Sequence, residues 1–214
     1  MNIPTITRTL SLEGHTLKLD VPADPELVLE QAVAGEESGD RFSDPYWGLV
    51  WEAAPATARR ILKQTWPADW NVLELGCGVG VAGIAALMAG MQVTFSDLVP
   101  AAVNLAVRNA AANGFTSAQG MVLDWNAPQP SQFQLLLASD VLYDAGNHRP
   151  LLNVLNSMLA KGGLVWIGDA GRHNAPRFIQ LARELGWTVT LSDEHGQPQS
   201  EPSLVRFQLL ELTR

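Results

Sequence analysis

Apolar and polar residues alternate in two short stretches near the start of the chain, 6–12 and 16–21, with Glu13-Gly14 breaking the pattern between them. A period of two over such lengths predicts a β-hairpin. Prolines at 22 and 25 end it, a short helix is predicted over 26–34, and 35–40 is a polar loop. From Trp51 onward the period changes. Helical patterns over 52–65, 81–89, a stretch opened by Pro100 and closed by Asn113-Gly114, one opened by Pro150 and stopped by Gly162-Gly163, and one capped by Asn174 and running to Glu184 alternate with compact apolar runs. These runs, 71–75, 92–96, 120–123, 133–139 and 164–168, predict strands, and 133–139 is apolar enough to lie at the centre of a sheet covered on both faces. Stretches 187–191 and 204–212 predict a closing antiparallel pair, joined by 192–203, a polar segment expected to be flexible. Alternating helices and strands imply an α/β fold: a Rossmann-like, mostly parallel sheet with helices on both faces. Residues 1–40 form a hairpin extension, either a cap over the sheet edge or a lid, and 41–214 form one α/β domain.

The most informative local pattern follows the first of these strands. Asn71-Val72-Leu73-Glu74-Leu75 runs straight into Gly76-Cys77-Gly78-Val79-Gly80 and then a helix. Alternating glycines let the backbone turn sharply and let a ligand lie against bare main chain, beside the unpaired N–H groups of the helix start. Gly78, Gly80 and Gly83 also spell the dinucleotide fingerprint G-x-G-x-x-G, but that register stretches the strand through Gly76 and Cys77 and leaves Glu74 unexplained inside it. Asp97 ends the second strand roughly twenty residues further on, where a carboxylate can accept hydrogen bonds from ribose hydroxyls or cap the Pro100 helix.

An acidic residue followed by G-x-G-x-G resembles the first motif of the class I, seven-β-strand S-adenosylmethionine-dependent methyltransferases. The resemblance covers roughly residues 40–214 and implies a seven-stranded sheet whose last strand is inserted antiparallel. It also implies that Glu74, Gly76, Cys77, Gly78 and Gly80 bind the cofactor S-adenosylmethionine, with Asp97 and Leu98 beside the ribose and base and Asp124 and Trp125 at the adenine. By their own sequence Asp124 is also a turn residue before Asn126-Ala127-Pro128, and Trp125 also a core residue. Ser139-Asp140-Val141-Leu142-Tyr143 resembles the D-x-x-Y motif of the protein methyltransferases that act mainly on lysine. Residues 45–51, 123–125 and 167–172 fit the same group, especially the branch containing the electron transfer flavoprotein β-subunit lysine methyltransferase. That likeness implies Asp140 and Tyr143 as catalytic residues, Trp51 and Ser139 as cofactor contacts, and Trp47 or Trp51 as a shield of the sulfonium. One departure is Glu52, where proline is frequent in the group.

The implied reaction is methyl transfer to an amine, either a lysine of a protein substrate or a small molecule. Composition narrows this only at the margins. The 214 residues are 47% hydrophobic and 17% charged, suiting one domain with a sizeable core, and a formal charge of −8 argues against a nucleic-acid surface. No apolar run reaches the length of a membrane span, and the start lacks a secretory h-region. The single cysteine excludes an internal disulfide and fits a reducing, cytoplasmic compartment. A monomer is expected. His15, His148, His173 and His195 show no metal-ligand spacing and are expected at the surface, and no metal site is expected. Trp66, Trp70, Trp166 and Trp187 read as packing residues. Arg172 either holds an acidic substrate group or pairs with a surface carboxylate.

Overall fold

In the computed structural model, residues 3–30 and 45–214 are described. The chain opens with the expected hairpin, β1 (Thr5–Leu12) and β2 (His15–Pro22), closed by Glu13 and Gly14, both at positive φ as a two-residue hairpin turn requires. Residues 25–30 are helical (α1), so the start of the helix expected over 26–34 is present; residues 31–34 and the 35–40 loop lie outside the described residues. A 3-10 turn, Pro45–Gly48, leads to α2 (Ala53–Leu62). Then come β3 (Asn71–Leu75), α3 (Val81–Met88), β4 (Gln92–Asp97), α4 (Pro100–Ala112), β5 (Gln119–Val122) and β6 (Phe133–Ser139). The chain closes with α5 (His148–Met158), β7 (Leu159–Asp169), α6 (Ala175–Glu184), β8 (Thr188–Ser192), β9 (Pro198–Gln199) and β10 (Gln208–Thr213).

The main sheet has the order β5-β4-β3-β6-β7-β10-β8-β9, parallel from β5 to β7 and antiparallel beyond, with the last strand inserted between β7 and β8. The expected seven strands are therefore joined by an eighth, the two-residue edge β9. From β3 the chain winds outward through β4 to β5, then crosses back to build β6 and β7 on the other side. Strand order reverses between β3 and β6, and the crevice beyond their carboxyl ends is where open α/β sheets take ligands. Helices on the two faces bury separate apolar clusters. One joins the hairpin, α2, α3 and α4 through Leu17, Leu19, Ile61, Ile84 and Phe95; the other joins α5 and α6 through Leu151, Leu155, Phe178 and Leu210. Between them Leu135, Leu136 and Leu137 of β6 have no exposed surface, as an apolar central strand requires.

The hairpin lies on α4, where Asn109 and Asn113, one turn apart, face the free side of β2. Asn109 accepts the Asp20 N–H at 2.8 Å and donates to the Asp20 carbonyl at 3.0 Å and to the Val79 carbonyl at 2.9 Å. Asn113 does the same for Lys18, at 3.0 and 2.7 Å. Two side-chain amides thus satisfy the backbone of alternate residues, as a neighbouring strand would.

Several expectations need correction. The helix expected from Pro150 starts at His148, after a 3-10 turn (Ala145–Asn147) whose Gly146 N–H donates to the Asp144 carboxylate. It ends at Met158, and Gly162-Gly163 lie inside β7, because Leu159 is already extended and pairs with Phe133. A Cβ at Gly163 would come within 2.9 Å of the Gln134 carbonyl, so the glycine reflects close backbone approach and not a helix stop. Asn174 occupies the helix start but does not cap it; its amide donates to the Tyr143 carbonyl at 2.6 Å. Nor is His148 at the surface: it is buried, with Nε2 at 3.3 Å from the Leu142 carbonyl and its ring edge-on to Phe178. The polar 192–203 segment carries β9 and is tied by Asp193, which accepts the N–H groups of His195 and Gln197 at 2.9 and 2.8 Å, and by Arg60, which donates to Ser192 Oγ and the Asp193 carbonyl at 3.0 and 2.6 Å. The strand expected from 204 begins only at Gln208, leaving Leu204 and Val205 exposed.

Candidate active site

Beyond the carboxyl ends of β3, β4 and β6, the glycine loop, Asp97 and Asp140 come together. Gly76, Gly78 and Gly80 all have positive φ, the last forming the left-handed start of α3. At Gly78 the chain itself approaches closely: a Cβ would sit 2.9 Å from the Trp47 carbonyl of the 3-10 turn. At Gly76 the neighbours are Val141, at 3.1 Å, and the indole of Trp125, at 3.7 Å. Trp125 is therefore both a partly buried core residue and a wall of the glycine loop.

Asp97 reaches across from β4, accepting the Gly78 N–H at 3.1 Å with one oxygen and the Val99 N–H at 3.0 Å with the other. The second bond is a local turn leading into α4, whose start carries no side-chain cap, so the capping alternative is not realised. Leu98 beside it is exposed. Asp124 closes a turn, its Oδ1 accepting the backbone and side-chain N–H groups of Asn126 at 2.9 and 3.0 Å. Ser139, at the end of β6, has a buried hydroxyl with no partner among the described residues.

Glu74 points beneath the loop, where sequence reasoning turned it toward a ligand. It is buried against the first turn of α3, with Oε2 filling the space that a Cβ at Gly83 would take. Gly83 thus belongs to close helix–strand packing. Burial, aided by the nearby Asp97 charge and opposed by the Gly83 and Ala82 N–H groups, pushes the Glu74 carboxyl up to about 8. At neutral pH it is mainly protonated. The Cys77 thiol is driven well above its ordinary range by burial and then by the Asp97 and Glu74 charges, which leaves it neutral and a poor nucleophile.

Asp140 sits at φ 58°, a left-handed conformation that aspartate tolerates better than most residues. Its side chain is only 1% exposed and its oxygens are taken: Oδ2 accepts the Ala53 N–H at 2.9 Å, and Oδ1 accepts the Ala170 N–H at 3.3 Å and Arg172 Nε at 3.0 Å. A carboxylate at the start of α2 is favoured by the helix dipole. One residue therefore joins the end of β6, the start of α2 and the turn after β7. Arg172 is resolved as the partner of this buried carboxylate, and its guanidinium lies 5.2 Å from the Trp51 ring. Trp51 in turn donates Nε1–H to the Tyr46 carbonyl at 3.0 Å and meets the Tyr46 ring edge-on at 5.9 Å. Tyr143, four residues beyond the end of β6, is exposed, its carbonyl held by Asn174. Among the described residues no group of acidic, histidine or cysteine side chains could hold a metal ion, and no helix is long and apolar enough to cross a membrane.

Sequence reasoning missed Asn109, which fastens the glycine loop to the hairpin, and Asp169 and Gln208, a buried pair behind Arg172. A mid-helix Asn one turn before another Asn is a weak signal of backbone pairing. Asp169 lay inside the 167–172 segment already noted for its likeness but was given no role there, and Gln208 had no signal.

Comparison with known proteins agrees with this geometry. A family model described as lysine methyltransferase matches residues 42–184. The electron transfer flavoprotein beta subunit lysine methyltransferase of Danio rerio is 32% identical over 165 residues, covering 72% of this chain and 63% of that protein. The EEF1A lysine methyltransferase 3 of Mus musculus is 31% identical over 141 residues, covering 61% of this chain and 60% of its own. These matches span about three fifths of the relatives' length. Among solved structures, a TehB-like SAM-dependent methyltransferase from Corynebacterium glutamicum superposes with a TM-score of 0.64 at 20% identity, over 90% of this chain and 99% of its own, which shows a shared fold.

Proposed function

We propose that this chain, which belongs to the lysine methyltransferase family, transfers the methyl group of S-adenosylmethionine to a lysine side chain of a protein. The observation that carries the reading is the meeting, at the point where strand order reverses, of the glycine loop with a carboxylate from the end of the next strand, Asp97 on Gly78 N–H. The residues fit the cofactor. A turn of glycines, an exposed Leu98, the Trp125 indole and the unpartnered Ser139 hydroxyl offer bare main chain, apolar contact and a hydrogen-bonding group in one crevice. Gly76, Cys77, Gly78 and Gly80 would hold the amino-acid portion, Asp97 the ribose hydroxyls, and Leu98, Asp124 and Trp125 the adenine. Glu74 supports the loop from below.

S-adenosylmethionine supplies an electrophilic methyl carbon, and displacement there is in line. The protein's own work is alignment and charge. A lysine amine, with an ordinary pKa of about 10.4, must be held neutral at the moment of attack. Tyr143 and Trp51 would flank its approach. Asp140 acts as a positioning residue: by bonding α2, Ala170 and Arg172 it fixes Trp51 and Arg172 relative to the end of β6. The name of the zebrafish relative makes the electron transfer flavoprotein β subunit the first acceptor to try. A cytoplasmic setting belongs to the same proposal, supported by a lone thiol that is buried.

The test is incubation with radiolabelled S-adenosylmethionine and purified electron transfer flavoprotein β subunit or cell extract, followed by mass spectrometry of the labelled band. Label on a protein lysine is expected. Asp97→Ala should weaken calorimetric binding of S-adenosylhomocysteine by about 2 kcal/mol, since a charged acceptor is lost. Label confined to a small molecule, or tight binding of a nicotinamide dinucleotide instead, refutes the reading.

A further inference from the structure

The segment from Asp140 to Tyr143 is held at two of its carbonyls by the starts of two helices. His148 Nε2, in the first residue of α5, lies 3.3 Å from the Leu142 carbonyl, and Asn174, the residue before α6, donates its amide to the Tyr143 carbonyl at 2.6 Å. Between α5 and α6 lies a cleft of about 380 Å³. Ala145, two residues beyond Tyr143, belongs to its wall, with His148 and Arg149 from α5 and Arg177, Gln180 and Glu184 from α6.

The charge in this cleft runs against that of the chain. The protein carries −8 overall, yet Arg149 and Arg177 stand in the first turns of α5 and α6, and neither turn has an acidic residue. The N-terminal end of a helix dipole disfavours a cation and favours an anion. Among the described residues no carboxylate pairs with either guanidinium. The two acids nearby are engaged elsewhere: Glu184 Oε1 accepts the Gln180 amide at 2.9 Å, and Asp144 accepts the Gly146 N–H and the Asn147 amide at 2.8 and 3.2 Å. A second observation lies in the wall itself. His148 is 1% exposed, and its Nδ1 has no partner among the described residues. Burial, aided by the Arg177 charge and opposed by the Leu142 bond and the Asp144 charge, holds the imidazole below its ordinary value, so the ring is neutral at pH 7. Its Nε2–H then serves the Leu142 carbonyl, and Nδ1 is left as an acceptor.

Two unpaired guanidiniums call for an oxyanion, which they bind through charge-assisted hydrogen bonds, and an acceptor nitrogen calls for a donor. An acidic residue within a peptide brings both, a carboxylate and backbone N–H groups. Resting on the function proposed above, we infer that this cleft binds an acidic side chain of the methyl-accepting protein, with Arg149 and Arg177 taking its carboxylate. The walls of the cleft also hold the Leu142 and Tyr143 carbonyls, so the acid is taken up beside the segment that carries Tyr143, and in the partner it lies close to the target lysine.

The experiment compares the wild type with Arg149→Gln/Arg177→Gln and Arg149→Lys/Arg177→Lys, using radiolabelled S-adenosylmethionine and extract of the cells of origin, with initial rates of protein-band labelling at limiting extract. The glutamine pair should label at least about tenfold more slowly, and its rate should fall less steeply as sodium chloride is raised, because the lost contact is between charges. The lysine pair keeps the charge without the planar fork and should lie between the two. A hexaglutamate peptide should slow labelling by the wild type and not by the glutamine pair, and inorganic phosphate at matched ionic strength should slow neither. Binding of S-adenosylhomocysteine and the thermal midpoint should be the same in all three proteins. Wild-type labelling by the glutamine pair overturns the inference and leaves the methyltransferase reading intact. The inference also falls if cofactor binding or thermal stability is lost in step with labelling, or if the slower labelling keeps the wild-type salt dependence. Competition by phosphate and not by hexaglutamate assigns the cleft to a free phosphate and overturns it as well. A wild type that labels no protein refutes the proposed function itself, and the acidic contact with it.

Discussion

Replacing Glu74 by glutamine tests the reading of the buried acid beneath the glycine loop. The carboxyl is displaced from 4.5 to about 8, chiefly by burial. At about 1.4 kcal/mol per pH unit this displacement corresponds to about 5 kcal/mol. The direction is set by which state holds the proton. Below 4.5 both states are protonated and the contribution is fully present. Between 4.5 and 8 the unfolded chain has released a proton that the folded chain retains, so stability falls as pH rises, and above 8 the loss is complete. Glutamine keeps an acceptor for the Ala82 and Gly83 N–H groups and cannot ionise. Urea denaturation at pH 5 and pH 8.5 should therefore show Glu74→Gln gaining about 4 kcal/mol relative to the wild type as pH rises, while other titrating groups cancel between the two proteins. This is a large fraction of an ordinary domain's stability. Parallel pH profiles for the two proteins would refute the buried, protonated carboxyl, and a difference of the opposite sign would place an ionised one there.

Three further substitutions probe the site's framework. Gly78→Ala puts a methyl group against the Trp47 carbonyl at a left-handed position, so thermal stability should fall by about 1–2 kcal/mol and S-adenosylhomocysteine should bind more weakly; an unchanged melt and affinity would mean that the 3-10 turn yields freely. Asp140→Asn leaves Arg172 without its carboxylate, at about 2 kcal/mol given that Arg172 is partly solvated, and turnover should drop with it. If Asp140 works by positioning, Arg172→Ala should lower single-turnover methyl transfer as well, and full activity in that variant would mean that the carboxylate acts on the amine directly.

What was legible in the sequence followed the range of the forces involved. Strands β3, β4 and β6 are short apolar runs between helix patterns, and each was placed within a residue because burial on both faces leaves a continuous local signal. The glycines and Asp97 were legible for a similar reason: a strand, a turn and a helix start are consecutive in the chain. Asp140 was found but its partners were not, since Ala53 lies 87 residues away and only the folded sheet brings α2 to the end of β6. Glu74 was pointed the wrong way because a strand residue faces one side or the other by register, and an acid on an apolar strand reads more readily as a ligand contact than as a buried proton holder. Leu204 and Val205 were assigned to β10 on composition; their solvent exposure depends on Gln208 and Asp169 from two different strands.

The two asparagines on α4 have a consequence for how the N-terminal hairpin can change. They read only the N–H and C=O groups of Lys18 and Asp20, which every residue but proline supplies, so attachment depends on the hairpin's extended shape and not on which side chains it carries there. The exposed positions of β1 and β2 are thereby released to diverge while the buried Leu17 and Leu19 keep the strand in register. Because Asn109 also holds the Val79 carbonyl, a segment outside the 42–184 family match still shares a bond with the cofactor loop. A lineage could redecorate this surface for new partners without loosening the chemistry beneath it.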